Sequence, residues 1–160
     1  MNKKLDIAII SRSSASYCLF EEIFHILQGS SITCRKYESF EEASDAWLSK
    51  RPDLITLTRF HPVNYVLDCI DEIKSQALLS KIPLLVELRQ DKHLKLNHLY
   101  NYPDIEIVRS PLAYTDTFIR CRTLIELIKL QAQFNEQQRE NKKLREWLKE
   151  SQLTQKDNEY

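Results

Sequence analysis

Pro52-Asp53-Leu54-Ile55-Thr56-Leu57-Thr58 is the stretch on which the reading of this chain turns. Proline and aspartate stop the preceding helix, and a short apolar, β-branched run follows with no helical spacing, which reads as a buried strand over Leu54–Leu57. Outward from it the same alternation repeats. Upstream, Phe40 to Lys50 reads as a helix with Ser39 as cap and Ala43, Ala46 and Trp47 inward. Before that come a strand over 31–37 and a helix with Leu19, Ile23, Ile26 and Leu27 on one face. Ser13, Ser14 or Ser16 caps that helix, Gly29 closes it, and a strand over 5–10 precedes it. Downstream, 64–77 reads as a helix through Val66, Leu67, Ile70 and Ile73. Pro83 opens a strand over Leu84–Leu88, a short helix is expected around 92–100, and Ile105–Val108 forms a fifth strand. Strands alternating with helices predict an α/β protein whose five-stranded parallel sheet is doubly wound. Ile9, Ile55, Leu57, Leu84, Val86 and Ile107 are its expected sheet core.

The final segment differs. From Thr115 to Leu153 there is neither proline nor glycine. A continuous helix of about 38 residues is roughly 57 Å long, against about 30–35 Å for a domain of this size, so its second half needs a partner. With Leu127 as heptad position a, the a and d positions are Leu127, Leu130, Phe134, Gln137, Asn141, Leu144, Leu148 and Ser151, five of them apolar. Asparagine at a favours a parallel two-stranded coil, and Glu140 at g faces Arg145 at the partner's following e. The expected organisation is a domain over 1–126, a coiled-coil helix over 127–153 and a disordered tail over 154–160.

Bulk composition narrows the function. The chain has 160 residues, 23 of them basic and 23 acidic. From Leu127 onward there are 7 basic and 6 acidic residues, so neither part is a basic patch for nucleic acid. Gly29 is the only glycine, which excludes glycine-rich phosphate loops. Cysteines at 18, 34, 69 and 121 form no CxxC pair and read as buried reduced thiols in a cytoplasmic protein. The first apolar run, broken by Asp6, is too short for a signal-peptide core or a membrane span.

The order and spacing of these segments resemble the response-regulator receiver domain over residues 4 to about 126. Pro52-Asp53-Leu54-Ile55-Thr56-Leu57 resembles the strand leading to its phosphorylation site, Ile82-Pro83-Leu84-Leu85-Val86 its fourth strand, and Ser110-Pro111-Leu112 its lysine-proline corner. The resemblance implies strand order 2-1-3-4-5. It also places Ser11 and Arg12 at the two acidic positions, Thr58 at the phospho-accepting aspartate and Leu88 at the hydroxyl position. Ile107 falls at the aromatic switch position and Ser110 at the lysine. Phosphoryl transfer by the family's route needs a carboxylate nucleophile, carboxylates for magnesium and a cation. Thr58 is no carboxylate, Ser11 and Arg12 cannot hold magnesium and Ser110 carries no cation, so no catalytic residue, metal or cofactor is expected, and the reading is a non-phosphorylatable pseudo-receiver associated with signal transduction and the phosphorelay.

Arg12, Ser13 and Ser14 lie between the first strand and helix, where doubly wound folds bind ligands, and can be read as an anion site or as helix caps with a surface arginine. Flavodoxins share the topology and hold a flavin phosphate there, so a flavodoxin-like anion- or flavin-binding protein is the rival. Histidines 25, 61, 93 and 98 have no ligand spacing. Phe60, Tyr100 and Tyr102 are expected in loops at the ligand end, as a partner surface or as cover for the core edge. The expectation is a non-enzymatic, dimeric interaction module in bacterial signalling or regulation. It pairs through Leu127, Leu130, Phe134, Asn141, Leu144 and Leu148, binds a further protein whose identity the sequence does not give, and contacts no nucleic acid or membrane. Alternatively, it feeds an effector through the coil.

Overall fold

The computed structural model of the chain describes residues 4–58, 62–89 and 99–157. The chain divides into two compact units, Met1–Leu124 and Ile125–Tyr160.

In the first unit five strands, β1 (Leu5–Ile10), β2 (Ile32–Tyr37), β3 (Leu54–Leu57), β4 (Leu84–Arg89) and β5 (Ile105–Ser110), form one parallel sheet. Its order is β2-β1-β3-β4-β5, the doubly wound order that the resemblance implies. The register sets Ile10 beside Tyr37 and Leu57, Leu57 beside Val86, and Val86 beside Ile107. Every residue of β1 and β3 is buried. This explains why their sequences read as continuous apolar runs rather than alternating ones: helices cover both faces. The expected sheet-core residues Ile9, Ile55, Leu57, Leu84, Val86 and Ile107 are all buried. Each such side chain contributes about 1.5–3 kcal/mol relative to exposure.

Among the described residues four helices, α1 (Ser14–Gln28), α2 (Phe40–Trp47), α3 (Val63–Ser75) and α4 (Tyr114–Asp157), connect and follow the strands. One face of the sheet gathers Ala8, Ile10, Ile55, Leu57, Leu84, Val86, Leu88 and Ile107 with Phe40, Ala43 and Trp47 of α2 and Val66, Cys69, Ile70 and Ile73 of α3. Parallel neighbours point the same way, so Ile7, Ile9, Leu54 and Leu85 belong to the other face. α1 contributes none of its side chains to the first cluster. It buries Phe20, Ile23 and Phe24 instead. The expected α1 face is therefore rotated: Leu19 is half-buried and Ile26 is 57% exposed. The helix carries two interleaved apolar stripes, and the one with the larger rings is buried.

Local signals start and stop these helices as expected. Ser13 caps α1 by accepting the Ser16 N–H, and Ser39 caps α2 by accepting the Glu42 N–H at 3.1 Å. Gly29 follows α1 at φ +56, a conformation a side chain rarely adopts, and its N–H donates to the His25 carbonyl. The helix expected around 92–100 falls largely outside the described residues; Leu99–Asn101 form a single 3₁₀ turn.

The amino end of the sheet is held by charge. Asp6 is buried and its Oδ2 meets Lys50 Nζ at 2.7 Å and the Arg35 guanidinium at 3.2 Å. Asp53 closes the pair of strands by accepting the Asp6 N–H through its carboxylate at 2.9 Å and donating its own N–H to the Asp6 carbonyl. Lys74, at the end of α3, is more deeply placed: its ammonium donates to Asp104 Oδ2 at 2.7 Å and to the carbonyls of Ser80 and Ile82. Three donors meet three acceptors, so a lysine side chain only 5% exposed has its polar end fully bonded.

All four cysteines are free, but they are not uniformly buried. Cys69 and Cys121 are buried, Cys34 is half-buried and Cys18 is exposed. Burial pushes the Cys34 and Cys121 thiols up to about 12 and the Cys69 thiol to about 11. These three are inert, apolar occupants rather than reactive thiols.

In the second unit α4 continues without interruption to Asp157. It is longer than the expected end near Leu153. Residues 154–157, assigned to a disordered tail by sequence, are its last helical residues.

Candidate functional site at the carboxyl end of the sheet

Open parallel α/β sheets offer a crevice outside the carboxyl ends of their strands, here at the tips of β1, β3 and β5. Ser11, just past β1, is fully buried. Its N–H donates to the Tyr37 carbonyl at 2.8 Å. Its hydroxyl donates to the Ser13 carbonyl at 2.9 Å and accepts the Ser13 N–H at 3.1 Å. This is the short side-chain-to-backbone turn that serine favours after a strand, and it sets Ser13 in place as the cap of α1. Thr58, just past β3, is also buried, and both its N–H and its hydroxyl donate to the Ile10 carbonyl, at 3.1 and 3.0 Å. Ser110, the last residue of β5, donates its hydroxyl to Glu87 Oε1 at 2.6 Å. It precedes Pro111 through a cis peptide. All three hydroxyls are committed to neighbours within the fold.

Leu88 and Ile107 do not join them. Both belong to the apolar cluster under α2 and α3. The register explains the separation: Glu87 is lateral to Val108 and Leu88 to Arg109, so Ser110 shares a face with Glu87 and not with Leu88.

Glu87 is the residue that sequence reasoning missed. It is 3% exposed and lines a cleft of about 430 Å³ whose walls include Ser13, Ser16 and Leu19 of the α1 entry, together with Ser110 and Leu112. A lone carboxylate inside the run Leu84-Leu85-Val86-Glu87-Leu88 was the available signal. A charge in a strand buried on both faces has to be met by a polar partner. Of the three candidates for anion binding, Ser13 alone lines this cleft, and its hydroxyl already accepts the Ser16 N–H; Arg12 and Ser14 are exposed outside it.

The chemistry available here is limited. A hydroxyl becomes a nucleophile when a base takes its proton. Ser11 and Thr58 give theirs to amide carbonyls, which are not bases. A carboxylate beside Ser110 is far too weak a base to deprotonate an alcohol unaided. Among the described residues no group of three or more histidine, cysteine or acidic side chains is placed to hold a metal ion.

The other singled-out residues lie elsewhere. Tyr102 precedes β5 and so stands at the amino end of the sheet, opposite the expected end; Lys74 Nζ lies 5.8 Å from its ring centroid. His25 is exposed beside the Gly29 carbonyl. Phe60, His61, His93 and His98, and the side chain of Tyr100, fall outside the described residues. On α4, Leu127 is half-buried, Asn141 is exposed, and Leu130, Phe134, Leu144 and Leu148 are 62%, 60%, 59% and 46% exposed. Among the described residues no helix is long and apolar enough to cross a membrane.

No protein-family model and no curated protein sequence matches the chain. Solved structures do. The signal receiver domain of a DNA-binding response regulator from Colwellia psychrerythraea 34H superposes with a TM-score of 0.64 at 15% identity, covering 76% of this chain and 98% of that one. The phosphorylated cyanobacterial phytochrome response regulator gives 0.60 at 19% identity, covering 76% and 91%. The signal receiver domain of a signal transduction histidine kinase from Syntrophus aciditrophicus gives 0.56 at 21% identity, covering 78% and 87%. Sheet order, strand register and these superpositions agree: the globular unit has the fold of a response-regulator receiver domain.

Proposed function

We propose that this chain is a pseudo-receiver, a receiver-fold module that acts in bacterial signalling or regulation by binding protein partners and accepts no phosphoryl group. The observation that carries this reading is the state of the three strand tips. Ser11, Thr58 and Ser110 stand where the family resemblance puts an acid, the acceptor aspartate and the lysine. Their hydroxyls are spent on the Ser13 and Ile10 carbonyls and on Glu87. Hydroxyls wired to their own fold stabilise the loops rather than supply an activated nucleophile.

The test is incubation of the full chain with a small phosphodonor and magnesium, followed by intact mass. No added phosphoryl group is expected, and none in Thr58→Asp either, because Ser11 and Arg12 still supply no metal ligand and Ser110 no cation. Stoichiometric labelling of the unsubstituted chain overturns the reading. A second reading, in which the unit regulates an effector through the coil, is favoured by the unbroken 44-residue span of α4.

A further inference from the structure

We infer that the second unit, Ile125–Tyr160, is the association surface of the protein, and that its occupant is a second copy of this chain in a parallel, in-register, two-stranded coil. The inference goes beyond the receiver-fold reading and does not depend on it.

Helices in water bury their apolar residues, and this one does not do so alone. Leu130, Phe134, Leu144 and Leu148 are each about half exposed or more, and they repeat at the a and d positions of one heptad frame. A foreign helix would satisfy the leucines equally well. Two features select a second copy. Asn141 interrupts the seam at an a position, where its amide can pair with the identical amide of a parallel neighbour; opposite an apolar a residue of an unrelated helix it would be buried unpaired. Glu140 at g lies opposite Arg145 at the following e only when the partner has this same sequence, direction and register. The other g–e pairs of that frame, Glu126 with Gln131, Gln133 with Gln138, and Trp147 with Gln152, bring no like charges together. The frame thus contains a register lock, an attraction and no repulsion for self-pairing.

The experiment uses the full chain. Sedimentation should give a dimer at micromolar concentration. Leu144→Glu with Leu148→Glu should raise the dimer dissociation constant by at least about 100-fold. The globular unit should keep its far-ultraviolet spectrum, because both positions are exposed in the single chain. In a Cys18→Ser background, which removes the exposed cysteine, Leu148→Cys should cross-link chain to chain under mild oxidation. Antiparallel packing about Asn141 would hold the two positions about 21 Å apart, well beyond disulfide reach. Asn141→Leu should tighten association and admit higher oligomers. A monomeric full chain, a dimer indifferent to the double glutamate substitution, or the absence of the cross-link overturns the proposal.

Discussion

The two ends of the sheet use opposite means to close themselves. At the amino end the groups are ionic: Asp6 with Lys50 and Arg35, and Lys74 with Asp104 and two carbonyls. At the carboxyl end they are mostly hydroxyls folded back on the chain, and the Ser110 hydroxyl is one donor to the buried Glu87 side chain. In a receiver the resemblance leads one to expect the charges at the carboxyl end, where the reaction takes place. Here those amino-end ions bond within the fold. The lesson is that one sheet can close its two ends by different means: at the carboxyl end small hydroxyls satisfy the strand tips.

The comparison can be broken most directly at Lys74. Lys74→Met should lower stability by about 3–5 kcal/mol in urea titration, since Asp104 and two carbonyls lose a buried cation; a change below about 1 kcal/mol would mean the amino end is not held by charge. Ser110→Ala should cost less, about 2 kcal/mol, because it removes one donor from a carboxylate. A larger loss than at Lys74 would reverse the ranking of the two ends. Thr58→Val should cost about 1 kcal/mol, for the Ile10 carbonyl keeps the backbone N–H of residue 58. Thr56→Val sharpens the contrast by its sign. The Thr56 hydroxyl is buried with no hydrogen-bond partner among the described residues, so the isosteric valine should raise the unfolding free energy by about 1 kcal/mol. A loss in that variant would show that the hydroxyl is satisfied in solution.

The smallest effect at neutral pH comes from the thiols, which belong to neither end. The Cys34 and Cys121 thiols ionise near 12 in the folded chain against an ordinary 9.0. The unfolded chain therefore releases protons first. Stability from these groups is complete below about pH 9 and falls as pH rises toward 12. Denaturation midpoints that stay flat across that window would show that the thiols are not held protonated.

How much of this was legible beforehand follows from what each feature depends on. β1, β3 and β4 were visible because strands buried on both faces must be apolar throughout, and caps at Ser39 and Gly29 are local chemistry. The α1 face was misjudged because Leu19-Phe20 and Ile23-Phe24 offer two adjacent stripes, and only the sheet decides between them. Ser11, Thr58 and Ser110 could be found by spacing from Pro52-Asp53 and from Pro111. What their hydroxyls bond to could not, since Thr58 reaches Ile10 across 48 positions of sequence. Glu87 left a mark that was readable and unread. Lys74 left none: Ile73-Lys74-Ser75 looks like any solvated helix end, and its role comes from the chain around Asp104.

One consequence follows from the positions of the two tryptophans. Trp47 is 5% exposed, held edge-on by Tyr37 and Phe40, whereas Trp147 is 61% exposed on α4. Each unit thus carries a single indole in a contrasting environment, one dry and one wet. Their emission should separate by colour and by access to a collisional quencher such as iodide. An unlabelled sample therefore contains two optical channels, and the melting of the sheet and the engagement of the helix can be followed independently in one cuvette.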